Sequence, residues 1–173
     1  MGISRSGRRI GEARLRTLLE SLLDASPLCA IATVAGTRAH VNTAYFAWSD
    51  DFRVIWISDR GATHSRSLRR NRSAAVAVFD SHQVWGKPDR GLQLFGTARE
   101  LHGRAAERGR EVYGRRFRDY DAAELPAYRP YELRPRRAKL FDERELGGGV
   151  FVSARIATDG SVAWERTEIY RSS

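Results

Sequence analysis

The chain is expected to be mainly β with a few helices, folded as a small antiparallel barrel. Three observations carry that expectation. Roughly six to eight short apolar segments follow one another with hairpin-length links, Asp159-Gly160 is a strong two-residue hairpin signal, and helical patterning is confined to a few stretches. Consecutive strands that close on themselves remove exposed sheet edges. With 173 residues and 42% hydrophobic content the chain has enough apolar surface for one core. Residues 1–9 are polar and basic and are expected to be a disordered N-terminus, leaving 10–173 as a single domain.

Leu15, Leu18, Leu19, Leu22 and Leu23 recur at i, i+3, i+4, i+7 and i+8, the stripe of an amphipathic helix. Pro27 ends it, since the residue before proline avoids helical geometry. Residues 28–34 and 39–48 read as strands joined at Gly36, and 52–58 as a third strand after the turn Ser49-Asp50-Asp51, which makes a meander. A short helix over 63–71 leads to a buried strand at 74–79. After the polar loop 81–90, alternation at Leu92, Leu94 and Gly96 marks another strand. Residues 103–118 read as a solvated helix with Val112, Tyr113 and Phe117 on a sparse apolar face, and 119–130 as a loop containing Pro126 and Pro130. Strands over 131–142, 149–158 and 161–170 complete the order, with Gly147-Gly148-Gly149 as a turn.

The net charge of +9 and a pI near 10.5 raise nucleic acid as a partner. The arginines are nevertheless spread along the chain and interrupted by Glu12, Glu20, Glu107, Glu111 and Glu132. No helix-turn-helix, zinc-finger or RNA-binding signature accompanies them, so nucleic acid is not the expected partner. No apolar run approaches the ~20 residues of a membrane span, and no secretory signal opens the chain, so no membrane partner and a cytoplasmic location are expected. Cys29, within Leu28-Cys29-Ala30-Ile31-Ala32, reads as a small buried hydrophobe. His40, His82 and His102 stand singly, without metal-ligand spacing or the company of a triad. Trp48, Trp56, Trp85 and Trp164 read as core or interface anchors, with Trp85 also placed to cover a ligand face.

Chemistry concentrates between Val54 and Asp80. A strand ending Trp56-Ile57-Ser58 passes through Asp59-Arg60-Gly61-Ala62 into a helix that begins Thr63-His64-Ser65-Arg66. Hydroxyls, cations and unpaired backbone N–H groups at a helix N-terminus favour an anion, so this unit reads as a phosphate cradle.

The order of helix, meander, Trp56-Ile57-Ser58, Thr63 to Asn71, Ala75 to Asp80 and Leu92 to Glu100 resembles the pyridoxamine 5′-phosphate oxidase-like, FMN-binding split-barrel family. The resemblance covers about residues 12–102 well and the terminal strands, including Trp164-Glu165-Arg166, more loosely. It implies a six-stranded antiparallel split β-barrel and a homodimer with flavin at the interface. By the same resemblance Ser58, Thr63 and His64 would hold the FMN phosphate, with Ser65 and Arg66 assisting. The strand Val41-Asn42-Thr43-Ala44 would line the flavin ring through backbone groups, with Asn42 and Thr43 as the contact residues, and Gln93 would be a polar contribution from the other subunit.

Two departures qualify it. The best-known oxidases place a lysine where this chain has His64, a weaker cation near neutral pH because free imidazole titrates near 6.5. The substrate motif Arg-x-His-x-Arg of the vitamin oxidases is absent from 147–155, so pyridoxamine phosphate is not the expected substrate. The expectation is an FMN-dependent oxidoreductase acting on a small organic molecule. Three alternatives stand beside it: a protein that binds the deazaflavin F420 through Arg60, Arg66 and Arg69, a haem protein with His64 or His82 as axial ligand, and a non-catalytic flavin-binding module. No residue is singled out as a catalytic acid or base.

Overall fold

The computed structural model describes residues 2–123 and 125–171. The chain forms two compact units, one comprising residues up to 26, 77–94 and from 136 onward, the other 27–76 and 95–135.

The first unit contains β1 (Gly2–Ser6), α1 (Glu12–Asp24), β8 (Val150–Ile156) and β9 (Val162–Arg171), with the short helix α4 (Glu143–Leu146). The five leucines expected on one helical face are all buried, and α1 packs on β9. Each such burial contributes roughly 1.5–3 kcal/mol, the main reason this helix holds. β8 and β9 form the hairpin announced by Asp159-Gly160. Gly160 has φ +83°, a left-handed conformation that glycine adopts without steric cost, and its N–H donates to the Ala157 carbonyl.

The second unit contains β2 (Leu28–Ala35), β3 (Arg38–Trp48), β4 (Val54–Asp59), α2 (Thr63–Arg70) and α3 (Gly103–Arg116). β2, β3 and β4 form the expected meander, with Phe46 opposite Trp56. α2 packs on β2 and β3, and α3 on β3 and β4. Trp56 and Tyr131 are fully buried and stack at 5.7 Å. Glu132 is a buried carboxylate held by Arg99 at 2.9 Å, with Arg53 and Arg134 further out, so its charge is compensated inside the fold.

Strands β5 (Ser73–Phe79), β6 (Arg90–Glu100) and β7 (Tyr128–Asp142) run through both units. The sheet order is β1-β9-β8-β7-β4-β3-β2-β5-β6, and β6 also pairs with β7. Six strands therefore close a ring, the split barrel expected from the sequence, and β8, β9 and β1 extend it to nine.

Three expectations are corrected. Residues 2–6 are a strand hydrogen-bonded to β9 from Gly2 opposite Arg171 to Ser6 opposite Thr167, not disordered. That pairing is made by backbone, and the side chains are mostly exposed, so no apolar alternation marked it. The third strand begins at Val54 because Phe52 is fully buried at φ +62° and turns the chain first. α4 is a single turn capped by the Asp142 carboxylate, which accepts from the Arg144 and Glu145 N–H groups, too short for periodicity to show.

Candidate functional site

The turn after β4 is fixed by its own hydrogen bonds. The Asp59 carboxylate accepts from the Gly61 N–H, the Asp59 carbonyl accepts from the Ala62 N–H at 3.2 Å, and the buried Ser65 hydroxyl donates to that same carbonyl at 2.7 Å. α2 thus starts at a set place with Ala62 as its N-cap, a residue with no side-chain oxygen to accept from the first turn. The amides of that turn stay available to an outside anion, and the helix dipole favours one.

That end of α2 opens on a cleft of about 540 Å³, within the range of small-molecule and cofactor sites. Ser58, Thr63 and His64 line it from β4 and α2, and Asn42 and Thr43 from β3. Five of the eight residues expected in the site therefore converge. The other three do not line it. Ser65 is buried behind the helix start. Arg66 is exposed, its guanidinium donating to the Gly61 carbonyl and to the Thr63 hydroxyl at 3.3 Å, so it braces the cradle from outside. Gln93 is exposed on β6 in the other compact unit, while its neighbours Leu92 and Leu94 are buried. Arg60 pairs with Glu100 at 3.2 Å and Arg69 donates to the Arg60 carbonyl at 3.1 Å, so neither lines the cleft as an extended deazaflavin would require.

The cleft carries unsatisfied polar atoms. His64 Nε2, Asn42 Oδ1 and His40 Nδ1 are each buried without a hydrogen-bond partner. Buried polar atoms are nearly always paired, so three on one cleft point to a polar ligand that completes them. Burial, and secondarily His40, holds the His64 imidazole below its ordinary 6.5. It is therefore neutral near pH 7 and offers a hydrogen bond, not a charge.

Sequence reading left out His40 and four tyrosines of this cleft, among others. His40 shares the face of β3 with Asn42, a period-two relation that was available in the sequence. Tyr45, Tyr113, Tyr120 and Tyr128 are the large aromatic side chains of the cleft lining. Tyr128 arrives through the register of β4 with β7, which sets it opposite Asp59, and Tyr113 and Tyr120 meet edge to face at 5.0 Å. These are long-range pairings that no local motif announces. His82 stands elsewhere, exposed beside Asp80 at 3.0 Å, and His102 is exposed. Cys29 is buried and its thiol is pushed up to about 12, which suits a packed hydrophobe. Among the described residues no group of three His, Cys, Asp or Glu is placed to hold a metal, and no helix is long and apolar enough to cross a membrane.

Residues 15–142 match the sequence profile of pyridoxamine 5′-phosphate oxidase. No curated protein matches the chain. The fold is similar to that of a protein of unknown function from Agrobacterium tumefaciens, with TM-score 0.64, 16% identity, and 74% of this chain covered against 56% of that one. A heme binding protein from Mycobacterium smegmatis aligns with TM-score 0.64 and 15% identity over 88% of this chain and 61% of its own. The chain thus spans only about three-fifths of the length of these two proteins. A FAD-binding protein from Mesorhizobium loti aligns with TM-score 0.55 and 14% identity over 80% of this chain and 96% of its own.

Proposed function

Because the chain belongs to the pyridoxamine 5′-phosphate oxidase family, we propose that it is an FMN-dependent oxidoreductase acting on a small organic substrate other than the vitamin itself. The observation that carries this reading is the uncapped start of α2 facing a cleft whose buried polar atoms lack partners. A flavin phosphate would take the first-turn amides with the Ser58 and Thr63 hydroxyls, and His64 Nε2 would complete its shell. Asn42 and Thr43 on β3 would meet the polar edge of the ring. Bound FMN supplies the hydride and electron chemistry, while the chain orients it and excludes water.

The assembly proposed with it is a homodimer with flavin at the interface. Val41 is 62% and Tyr45 56% exposed on β3, beside the cleft, an apolar surface that a second copy would cover. In that dimer Gln93 of the partner subunit is the polar group to test at the ring. The proposed location is the cytoplasm, where no membrane and no nucleic acid is needed as partner.

The test is an FMN titration of the unaltered protein against His64→Ala and Arg66→Ala. A hydrogen bond to a charged phosphate is worth about 1.5–3 kcal/mol, so a roughly tenfold to hundredfold loss is expected for His64→Ala, and a smaller one for Arg66→Ala, which only braces the turn from outside. Unchanged affinity in both variants would remove the phosphate from this end of α2.

One observation favours a second reading. His40 and His64 both line the cleft and each has a buried, unpartnered ring nitrogen, which would also suit the axial ligand of a haem, the group named for the Mycobacterium smegmatis protein of similar fold. A Soret band in protein given haem, lost in His64→Ala or His40→Ala, would move the assignment there.

A further inference from the structure

Nearly three residues in ten of this chain are charged, yet no Lys, Arg, Asp or Glu among the described residues lines the cleft. The neighbouring guanidinium groups are engaged elsewhere. Arg66 is on the Gly61 carbonyl, Arg69 on the Arg60 carbonyl and Arg60 on Glu100. The large side chains of the cleft lining are instead mostly aromatic, Tyr45, Tyr113, Tyr120 and Tyr128.

This wall is built as a unit. Tyr113 on α3 touches Phe117 at 4.7 Å and Tyr120 at 5.0 Å, and Phe117 in turn meets Tyr45 of β3 at 5.7 Å. Tyr113 packs with Ala47 and Ile55 into the core of its unit, which fixes the whole cluster to β3 and β4. Tyr128 remains 40% exposed, a large aromatic face that the chain itself does not cover. Aromatic surfaces so held are platforms for another flat ring, which gains both area burial and ring-to-ring attraction. A charged ring would lose hydration on entry and find no counter-charge among the described side chains of the lining, a cost that an uncharged ring escapes.

We propose that the tyrosine side of this cleft binds an uncharged, planar aromatic molecule as the substrate and selects against ionised ones. This rests on the reading of the α2 end as the FMN site and specifies the substrate class for the remainder of the same cleft. Tyr113 retains its proton at all ordinary pH, because burial pushes its hydroxyl up to about 12, so it adds a donor and no charge.

Three probes of nearly equal shape test the inference: 2-naphthamide, which is neutral, 2-naphthoate, an anion, and 2-naphthamidine, a cation. Each is titrated into the purified protein with and without FMN and read by calorimetry. The net charge of +9 attracts anions from a distance, so a surface effect alone would rank the naphthoate first. The inference expects the amide to bind about tenfold more tightly than either ion, and to lose roughly tenfold in Tyr128→Ala, whose side chain lies at the rim, and in Tyr120→Ala. An anion binding as well as the amide would overturn it, as would an amide affinity indifferent to both tyrosines or no binding of the amide at all. The cofactor is judged separately by the FMN titration. Protein that fails to hold FMN but ranks the probes as expected loses the flavin assignment and keeps the uncharged aromatic site.

Discussion

His64 is 5% exposed and its imidazole is held below the ordinary value by burial. A histidine that is neutral when folded and freely protonated when unfolded stabilises the fold at neutral pH. Between its folded and unfolded values the unfolded chain binds more protons, so this contribution shrinks as pH falls below about 6.5 and through the lower folded value. Thermal midpoints measured from pH 7 to 5 should therefore fall more steeply for the natural chain than for His64→Gln. Parallel curves would show that the histidine is not held neutral. His64 and Thr63 were legible in the sequence because a helix start is a local event, written in consecutive residues. His40 was passed over as a lone histidine, although alternation along β3 already put it on the side of Asn42. The four tyrosines come from β3, α3, the segment after α3 and β7, and only folding brings them together.

At the scale of the element, the cap of α2 separates helix stability from ligand binding. Ala62→Asp would supply the missing acceptor, and capping residues contribute about 0.5–2 kcal/mol over alanine. The same carboxylate would occupy the place of a phosphate and repel it. The variant should melt higher without FMN and bind FMN more weakly, as thermal melts at several FMN concentrations would reveal. Stronger FMN binding in Ala62→Asp would contradict a phosphate at this helix end. Gly96 on β6 meets β7 closely, for a Cβ there would strike the backbone at Arg134 and Pro135. Gly96→Ala should accordingly cost about 1–3 kcal/mol or more in urea unfolding, since the two strands must part to admit it. The element order was largely readable because period-two and period-3.6 patterns survive in β2, β3, β5, β6 and α1. β1 and α4 escaped because one is paired through backbone alone and the other is a single turn.

At the scale of the molecule, the ring of six strands was legible through its hairpin-length links and its resemblance to a known family. The division into two units was not, because β5, β6 and β7 pass through both without any change of composition. Exposed Val41 and Tyr45 beside the cleft give the proposed dimer a direct test. Val41→Glu should shift the protein toward monomer in light scattering and weaken FMN binding in step. Loss of the dimer with FMN affinity intact would place the flavin within one chain. Arginine-rich composition gives a basic surface, while no Lys, Arg, Asp or Glu among the described residues lines the cleft.

The central claim is that this cleft holds FMN, and the visible absorption spectrum of the purified protein, taken before and after addition of FMN and removal of the excess, addresses it most directly. The account predicts flavin bands that remain with the protein at about one FMN per chain. A protein left colourless by that treatment, or one showing a Soret band in place of flavin, would contradict it.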